Sequence, residues 1–311
     1  MTHLPCKLCS STEVKSFLDL DQGQDKIVQC LRCGLVYLDF QSINEESPTI
    51  YSDDYWWREN KKQTFISKLE KTHRNWLLLS EINRFKHLIQ KGGKILDVGC
   101  GNGDFLKLCQ TRGFAVSGVE TAAAAAELAK KTNKIDVFTG ELPQANFPSD
   151  NFDAVTLFHV LEHLPEPALI LKEVHRILKN HGLLIIQLPN IDSWQFKIFK
   201  QRWFGLQIPY HLYHFSPETL KQLLKKAGFK NIKINHFSFR CNPMLFVSSL
   251  LPNLSPHAFL KNSAKGKSQI INKIIYFALT LLASPWTMLE SILGHGAVVT
   301  VLAEKGRKTN E

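Results

Sequence analysis

Four cysteines near the start of the chain have the spacing of a metal site. They form two Cys-x-x-Cys pairs, Cys6 with Cys9 and Cys30 with Cys33. Each pair can present two thiolates to one ion, and two pairs complete the tetrahedral shell of a structural Zn²⁺ site. Four thiolates leave no open coordination position, so the pattern predicts a structural zinc in a ribbon. A thioredoxin-like redox site is the weaker alternative, because it needs one pair beside a βαβ unit.

A glycine-rich turn lies in the sequence KILDVGCGNGDFL, residues 94–106. The apolar residues predict a buried strand, and the residues after the turn predict the start of a helix. Gly99, Gly101 and Gly103 allow a tight turn and the close approach of a ligand. The start of the helix directs unpaired N–H groups at the same place, so the segment predicts a binding site.

The charges around this turn indicate which ligand it holds. Asp104 occupies the position of the third glycine in a dinucleotide fingerprint, and Asp97 lies two residues before Gly99. No Lys or Arg lies between Lys94 and Lys107. A pyrophosphate would be poorly placed here, whereas S-adenosylmethionine (SAM), with an ammonium, a sulfonium and no phosphate, would be well placed. A βαβ turn without a ligand is the alternative.

Glu120 lies nineteen residues past Gly101 and follows the apolar run FAVSGV. An acid at the end of the second strand, at about this distance, can accept hydrogen bonds from both ribose hydroxyls. With both features present, the region resembles the class I SAM-dependent methyltransferases. Asp97, Gly99, Gly101 and Gly103 match the first motif of that family, and Glu120 matches its ribose-binding acid.

The resemblance implies further cofactor contacts. It places adenine-holding groups after the third strand, where Glu141 could accept a hydrogen bond from the adenine amino group and Leu142 could pack on the ring. It also implies a cofactor contact for Phe158, at the end of the fourth strand. A solvated turn is the alternative at residues 140–142.

Candidate acids and bases follow the fourth strand, in the sequence HVLEHL. Ligands of open parallel sheets bind outside the carboxyl ends of the strands, so we expect His159, Glu162 and His163 at the rim of the active site. For Glu162 and His163 we favour a structural hydrogen bond that holds the loop. Some quinone-biosynthesis O-methyltransferases have an E-x-x-E-H here that resembles a divalent-metal site, but His159 replaces the first acid in this chain.

The loop 193–215 is rich in aromatic and basic residues and resembles in position the acceptor site of these methyltransferases. Tyr210, His211 and His214 are candidate general bases, and His159 is a further candidate catalytic residue. An imidazole can take up a proton near neutral pH. The alternative is that these side chains only order the loop.

The predicted fold is α/β: a Rossmann-like seven-stranded methyltransferase sheet with helices on both faces and its last strand antiparallel. The apolar runs predict strands at 95–98, 114–119, 135–138, 152–158, 182–188, 231–239 and 297–302. Helical periodicity and capping signals predict helices within 61–90 and at 121–131, 169–178 and 216–226, and a helix starts after the glycine turn. We divide the chain into a zinc ribbon (1–45), a helical connector or lid (46–91), the methyltransferase domain (92–240 with 297–305) and an insert (241–296).

Two segments have open interpretations. The connector carries aromatic residues that either form a lid or pack against the ribbon: Tyr51, Tyr55, Trp56 and Trp57. The insert holds an uncharged stretch, residues 274–289, which is short for a membrane span and contains a proline. Together with lysines at 261, 265, 267 and 273 it predicts contact with a membrane surface. A helical cap or a dimer contact is the alternative.

The charge and the cysteine content indicate the kind of partner and the cellular compartment. The 311 residues carry a formal charge of +10, which favours an anionic partner. Seven cysteines, four of them in the metal pattern, indicate a reducing compartment. The first ten residues lack an apolar h-region, so we expect no secretory signal. These features predict a cytoplasmic protein, at the inner face of the membrane where the insert contacts it.

The sequence CGLV of residues 33–36, followed by the Tyr-rich stretch, is similar to zinc-ribbon methyltransferases of bacterial polysaccharide and natural-product gene clusters. We therefore expect SAM-dependent transfer of a methyl group to an O or C acceptor, a small molecule such as a glycan, a glycolipid or a lipid-linked intermediate. The alternatives are an RNA methyltransferase with a four-cysteine ribbon, which the long uncharged insert disfavours, and a non-catalytic SAM- and zinc-binding module. The oligomeric state is not predicted.

Overall fold

A computed structural model of the protein describes residues 5–19, 26–39, 65–255, 258 and 267–306. The aromatic residues of the predicted lid, Tyr51, Tyr55, Trp56 and Trp57, lie outside the described residues. So do Lys261 and Lys265 of the insert.

The largest element is a seven-stranded mixed sheet with the order β10-β11-β8-β7-β4-β5-β6. Strands β4, β5, β6 and β7 are parallel, with Ile95 beside Val116 on one side and Ala154 on the other. The central residues of β4 and β7 are buried on both faces, which explains the continuous apolar runs in their sequences. The bounds are β4 Lys94–Val98, β5 Ala115–Glu120, β6 Asp136–Thr139, β7 Phe152–Phe158, β8 Leu178–Pro189, β10 Phe229–Asn235 and β11 Val298–Lys305. The predicted Rossmann-like sheet with its last strand antiparallel is confirmed.

Helices connect these strands, and most follow the predicted pattern. Their bounds are α1 Phe65–Phe85, α2 Asp104–Thr111, α3 Ala123–Leu128, α4 Pro167–Ile177, α5 Trp194–Phe199, α6 Pro217–Lys226, α7 Cys241–Leu250 and α8 Lys267–Ile292. One prediction was wrong in detail. The helix expected to start at Thr121 has Ala122 at its N-cap position, and the Ala122 N–H donates to the Glu120 carboxylate at 2.9 Å. The helix ends in a π turn over Ala129–Asn133.

The cysteine-rich segment forms a second, small antiparallel sheet with the order β1-β2-β3-β9. Its strands are β1 Val14–Asp19, β2 Lys26–Cys30, β3 Val36–Leu38 and β9 Tyr213–His214. The first three coincide with short apolar runs in the sequence between and after the cysteine pairs. The fourth comes from a distant loop, and pairs Tyr213 with Tyr37 and His214 with Val36. Candidate base His214 is therefore part of the small sheet.

The chain divides into two compact units, which are described separately below. Unit 1 contains residues 1–46, 187–222 and 234–300, and unit 2 contains residues 47–186, 223–233 and 301–311. Unit 1 thus holds the four paired cysteines, the loop 193–215 and helices α7 and α8. Unit 2 holds the glycine-rich turn. The four-part division drawn from the sequence remains a prediction.

Within unit 1, helices α7 and α8 pack on each other. The Tyr276 hydroxyl of α8 lies 3.1 Å from the Ser248 hydroxyl of α7, and the Asn242 side chain donates to the Ser291 hydroxyl at 2.7 Å. Among the described residues, the segment Ile270–Ile292 of α8 is long and apolar enough to cross a membrane by length and composition.

Candidate cofactor site and cysteine cluster

The glycine-rich loop of unit 2 joins the end of β4 to the start of α2. The backbone N–H groups of Gly99 and Cys100 both donate to the Val119 carbonyl oxygen, at 2.8 and 3.1 Å, which fixes the loop beside the end of β5. The three glycines have φ angles of 73°, 54° and 74°. These values lie in the left-handed region, where a side chain is strained. The sequence therefore needs glycine here for the backbone path itself.

Two of these glycines differ in what surrounds them. A Cβ atom at Gly99 would lie 2.5 Å from a methyl group of Val160, so packing excludes a side chain there. A Cβ atom at Gly101 would meet no atom within 4 Å. The backbone at Gly101 consequently faces open space, as expected where a ligand approaches the loop closely.

Two buried carboxylates flank the open side of the loop. Glu120 accepts hydrogen bonds from the N–H groups of Gly101 at 2.8 Å and Ala122 at 2.9 Å. Asp97 accepts one from the Thr156 hydroxyl at 2.6 Å. Burial raises the pKa of Asp97 to about 7; the Thr156 hydrogen bond opposes that rise, and the charge of Glu120 adds to it. A bound cationic group would favour the ionised carboxylate, so the site fits the ammonium of SAM.

Further side chains fix the loop and were not identified from the sequence. The Asn133 amide donates to the Asn102 carbonyl at 2.8 Å and contacts the Asp104 carboxylate at 3.3 Å. Arg74 of α1 lies 2.6 Å from the other oxygen of Asp104. Asp104 therefore anchors the start of α2. No local pattern marks Asn133, which lies about thirty residues from the loop that it supports.

The residues proposed to hold adenine lie in the same unit. Glu141 is exposed, and its backbone N–H donates to the Gln144 side chain at 2.9 Å, while Leu142 is buried. Phe158 is half-buried and meets the Phe105 ring edge-on, with ring centroids 4.9 Å apart. Their roles in binding the cofactor remain predictions.

After β7 the backbone turns sharply at His159, whose φ is 57°. Its Nδ1 lies 3.6 Å from Glu162 Oε1, which is too long for a hydrogen bond. Glu162 and His163 are buried, and neither Glu162 oxygen has a hydrogen-bond partner among the described residues. The structural hydrogen bond expected for Glu162 is therefore not found in the part of the chain that the structure describes.

The candidate bases of the loop 193–215 belong to unit 1 and differ in environment. His211 is buried, and its Nδ1 lies 2.8 Å from the Gly205 carbonyl oxygen. Because a carbonyl only accepts, Nδ1 carries the proton and Nε2 is the basic nitrogen of the neutral ring. Burial lowers the pKa of His214 to about 4, so this ring is neutral and weakly basic. Tyr210 is partly exposed.

The four paired cysteines come together in unit 1. The Sγ atoms of Cys6 and Cys33 are 3.6 Å apart, those of Cys9 and Cys30 are 3.4 Å apart, and all four lie within 4.8 Å of one another. A disulfide needs about 2.05 Å between sulfurs. Four sulfurs held tetrahedrally about 2.3 Å from one zinc ion would be about 3.8 Å apart. The cluster thus fits a zinc site, as the spacing predicts.

Comparison with known proteins supports the methyltransferase family that the glycine-rich loop and its acids resemble. A model of the methyltransferase domain family matches residues 70–234, which is 165 of the 311 residues. An uncharacterized protein of Methanocaldococcus jannaschii is 31% identical over 163 residues, which are 52% of this chain and 76% of that protein. A protein of Azotobacter vinelandii named ubiquinone biosynthesis O-methyltransferase is 30% identical over 134 residues, or 41% of this chain. The chain spans 54%, about half, of that relative's length.

A solved structure shares the fold. A SAM-dependent methyltransferase from Archaeoglobus fulgidus has a TM-score of 0.50 and 23% identity, covering 78% of this chain and all of that chain. Together with the family match over more than half of the sequence, this agreement shows that the chain belongs to the methyltransferase domain family, with the class I SAM-dependent methyltransferase fold.

Proposed function

We propose that the protein transfers a methyl group from SAM to an oxygen or carbon acceptor, a glycan, a glycolipid or a lipid-linked biosynthetic intermediate. One observation carries the proposal. The backbone at Gly101 faces open space beside two buried carboxylates, Asp97 and Glu120. Such a site suits a cationic ligand without phosphate.

Different residues of unit 2 would contact different parts of SAM. Asp97 would neutralise the ammonium group, Glu120 would accept the ribose hydroxyls, and the glycine backbone would line the methionine portion. When bound, SAM supplies a methyl group that a sulfonium has already activated. The protein then gains most by fixing the geometry for in-line attack, since positioning alone can contribute several kcal/mol to such a step.

A general base helps when the acceptor is a hydroxyl or an acidic carbon. His211 is the best of the candidates, because its hydrogen bond to Gly205 leaves Nε2 as the proton acceptor. The lowered pKa of His214 makes that ring a poor base near neutral pH. The zinc held by the four cysteines would be structural, since four thiolates fill its coordination shell.

The acceptor class is inferred from a named relative. The Azotobacter relative is named for ubiquinone biosynthesis, and a lipid-linked acceptor in this chain would be of comparable apolar character. Its length is matched only in part, so the acceptor is inferred and not transferred from that name.

Purified protein incubated with methyl-tritiated SAM and separated lipid, RNA and small-molecule extracts tests the proposal. We expect label in the lipid or glycan fraction, and none when Gly101→Val blocks the open side of the loop. Label in RNA would instead support the RNA methyltransferase. Tight SAM binding without labelled product in any fraction would support a non-catalytic module.

His211→Asn tests the base, because asparagine can still donate to the Gly205 carbonyl. For a hydroxyl acceptor we expect kcat to fall by about 10²–10⁴-fold, with the affinity for SAM unchanged. His159→Asn is the matched comparison, since His159 is the candidate catalytic histidine of unit 2. A fall in kcat that is larger for His159→Asn would reassign the role.

A further inference from the structure

Helix α8 turns its polar side chains toward the rest of unit 1. The Tyr276 hydroxyl contacts Ser248, and Glu290 accepts a hydrogen bond from the Gln195 amide at 2.6 Å. Ser291 accepts one from Asn242 at 2.7 Å. Thr287 and Glu290 are almost completely buried, at 2% and 0% exposure. Hydrogen bonds therefore fix this face at two places, at Tyr276 and at Glu290 with Ser291.

The opposite face of α8 is apolar and exposed. Leu282 is 76% exposed, Ile292 70% and Ile274 61%, and their neighbours on the same stripe are also exposed. The stripe repeats every three to four residues, as one side of a helix does: Ile271, Ile274, Ala278, Leu281, Leu282, Pro285, Leu289 and Ile292. A helix at a water-facing surface normally has the reverse arrangement, with its apolar stripe inside.

The charge of the insert indicates what covers this stripe. Residues 241–289 contain four lysines and no Asp or Glu. The next acid, Glu290, is buried and faces inward. An anionic bilayer surface complements both the apolar stripe and the lysines. A dimer formed through the same face would bring two copies of this segment together, and neither copy has an Asp or Glu within 241–289 to pair with the lysines of the other.

We propose that α8 lies in the plane of an anionic membrane surface, with the stripe from Ile271 to Ile292 inserted among the lipids. Its inward face is hydrogen-bonded to α7 and α5 through Tyr276, Glu290 and Ser291, so the helix cannot cross the bilayer without taking α7 and the buried Glu290 with it. At 26 residues, α8 is about 39 Å long, which gives the protein an extended line of contact. The proposal does not depend on methyl transfer, and vesicle binding tests it directly.

The test is flotation of the full-length protein with vesicles of phosphatidylcholine alone and of phosphatidylcholine with 30 mol% phosphatidylglycerol. We expect binding at least about tenfold stronger to the anionic vesicles, and weakened by salt, because surface charge attracts the lysines. The triple variant Ile274→Gln/Leu281→Gln/Leu282→Gln should lose binding by at least about tenfold. These side chains are exposed, so its melting temperature should stay within a few degrees of the wild type.

Leu88→Gln/Leu169→Gln is the matched control, since both leucines are exposed and belong to unit 2. It should float as the wild type does. Equal loss in the control and the triple variant would overturn the proposal. Failure of the wild-type protein to bind either kind of vesicle would also overturn it. In that case, a wild-type dimer that the triple variant dissociates would show that the stripe is covered by a second copy of the chain. Membrane insertion that resists alkaline carbonate would overturn the in-plane geometry.

Discussion

The glycine-rich loop of unit 2 and helix α8 of unit 1 both bury acidic side chains, but their surroundings differ. At the loop, Asp97 and Glu120 lie beside a backbone that is open at Gly101. At α8, Glu290 is enclosed by its own unit and bonded to Gln195, while the open side of the helix carries only apolar groups. In the first region the acids lie near the open side, and in the second the acid faces away from it.

This difference separates acids that are suited to binding a cation from an acid that packs inside its own unit. A buried carboxylate costs free energy unless something compensates its charge. A cationic ligand would compensate the charge of Asp97, so that the cost of burial contributes to binding, and Glu120 already accepts the N–H groups of Gly101 and Ala122. Glu290 has only neutral partners among the described residues, so its protonated form is the stable one near and below pH 7. The same residue type thus lies beside open space in unit 2 and packs among neutral partners in unit 1.

Removal of zinc should have the largest effect and should act on unit 1. Cys30→Ser or a strong chelator should unfold the small sheet, because a structural zinc contributes on the order of 10 kcal/mol to the folding of such a segment. Hydrogen exchange at residues 26–38 would show the loss, and metal analysis would show less than one zinc per chain. Cys241→Ser, at a buried cysteine outside the cluster, should retain the zinc. Unchanged zinc content in Cys30→Ser would contradict the metal site.

Asp97→Asn should weaken SAM binding by about 100-fold, since loss of a buried charge that pairs with a cationic ligand costs about 2–5 kcal/mol. Isothermal calorimetry with SAM measures the change. Glu290→Gln, which neutralises the buried acid of α8, should leave the affinity within about twofold of the wild type. If both substitutions weakened SAM binding equally, the distinction between the two regions would fail.

Glu290 should make stability depend on pH. Burial raises its pKa from 4.5 to about 7, against the lowering by the Gln195 hydrogen bond. Its stabilising contribution is therefore complete below pH 4.5 and is lost as the pH rises through 7. Urea unfolding at pH 5.5 and pH 8 should show the wild type losing about 2 kcal/mol more than Glu290→Gln across that interval. Parallel pH profiles for the two proteins would contradict the raised pKa.

Two glycine substitutions sharpen the view of the loop and have the smallest expected effects. Gly99→Ala and Gly101→Ala each place a side chain at a positive φ, which costs about 1–2 kcal/mol. Gly99→Ala also meets Val160, so it should lower the melting temperature more. The methyl group of Gly101→Ala would project into open space, where the ligand is proposed to bind. This variant should therefore weaken SAM binding more than Gly99→Ala does and lower the melting temperature less. Thermal melts and calorimetry on both variants give the comparison, and equal profiles would argue against a ligand at Gly101.

Short-range patterns predicted much of this molecule. The strand, the turn and the start of the helix within 94–106 are local, and their apolar run and glycine spacing are enough to place them. Glu120 could be placed because parallel strands end at one edge of the sheet. The start of α3 was expected at Thr121, whereas Ala122 takes the N-cap position and its N–H donates to Glu120. Asn133 could not be found, because its support of the loop depends on chain segments about thirty residues apart.

The sequence by itself determined the residue types on which the proposed sites depend. Four thiolates suit zinc, a glycine turn flanked by acids suits a cation, and an uncharged stretch preceded by lysines suits a lipid surface. Residue types and local spacing carry that information. Only the tertiary structure decided which way the groups face. It joined Tyr213–His214 to the cysteine-rich strands, opened space at Gly101, and turned the polar side of α8 inward. These outcomes depend on packing between distant segments, where each buried polar group needs a partner, and local spacing does not specify that partner.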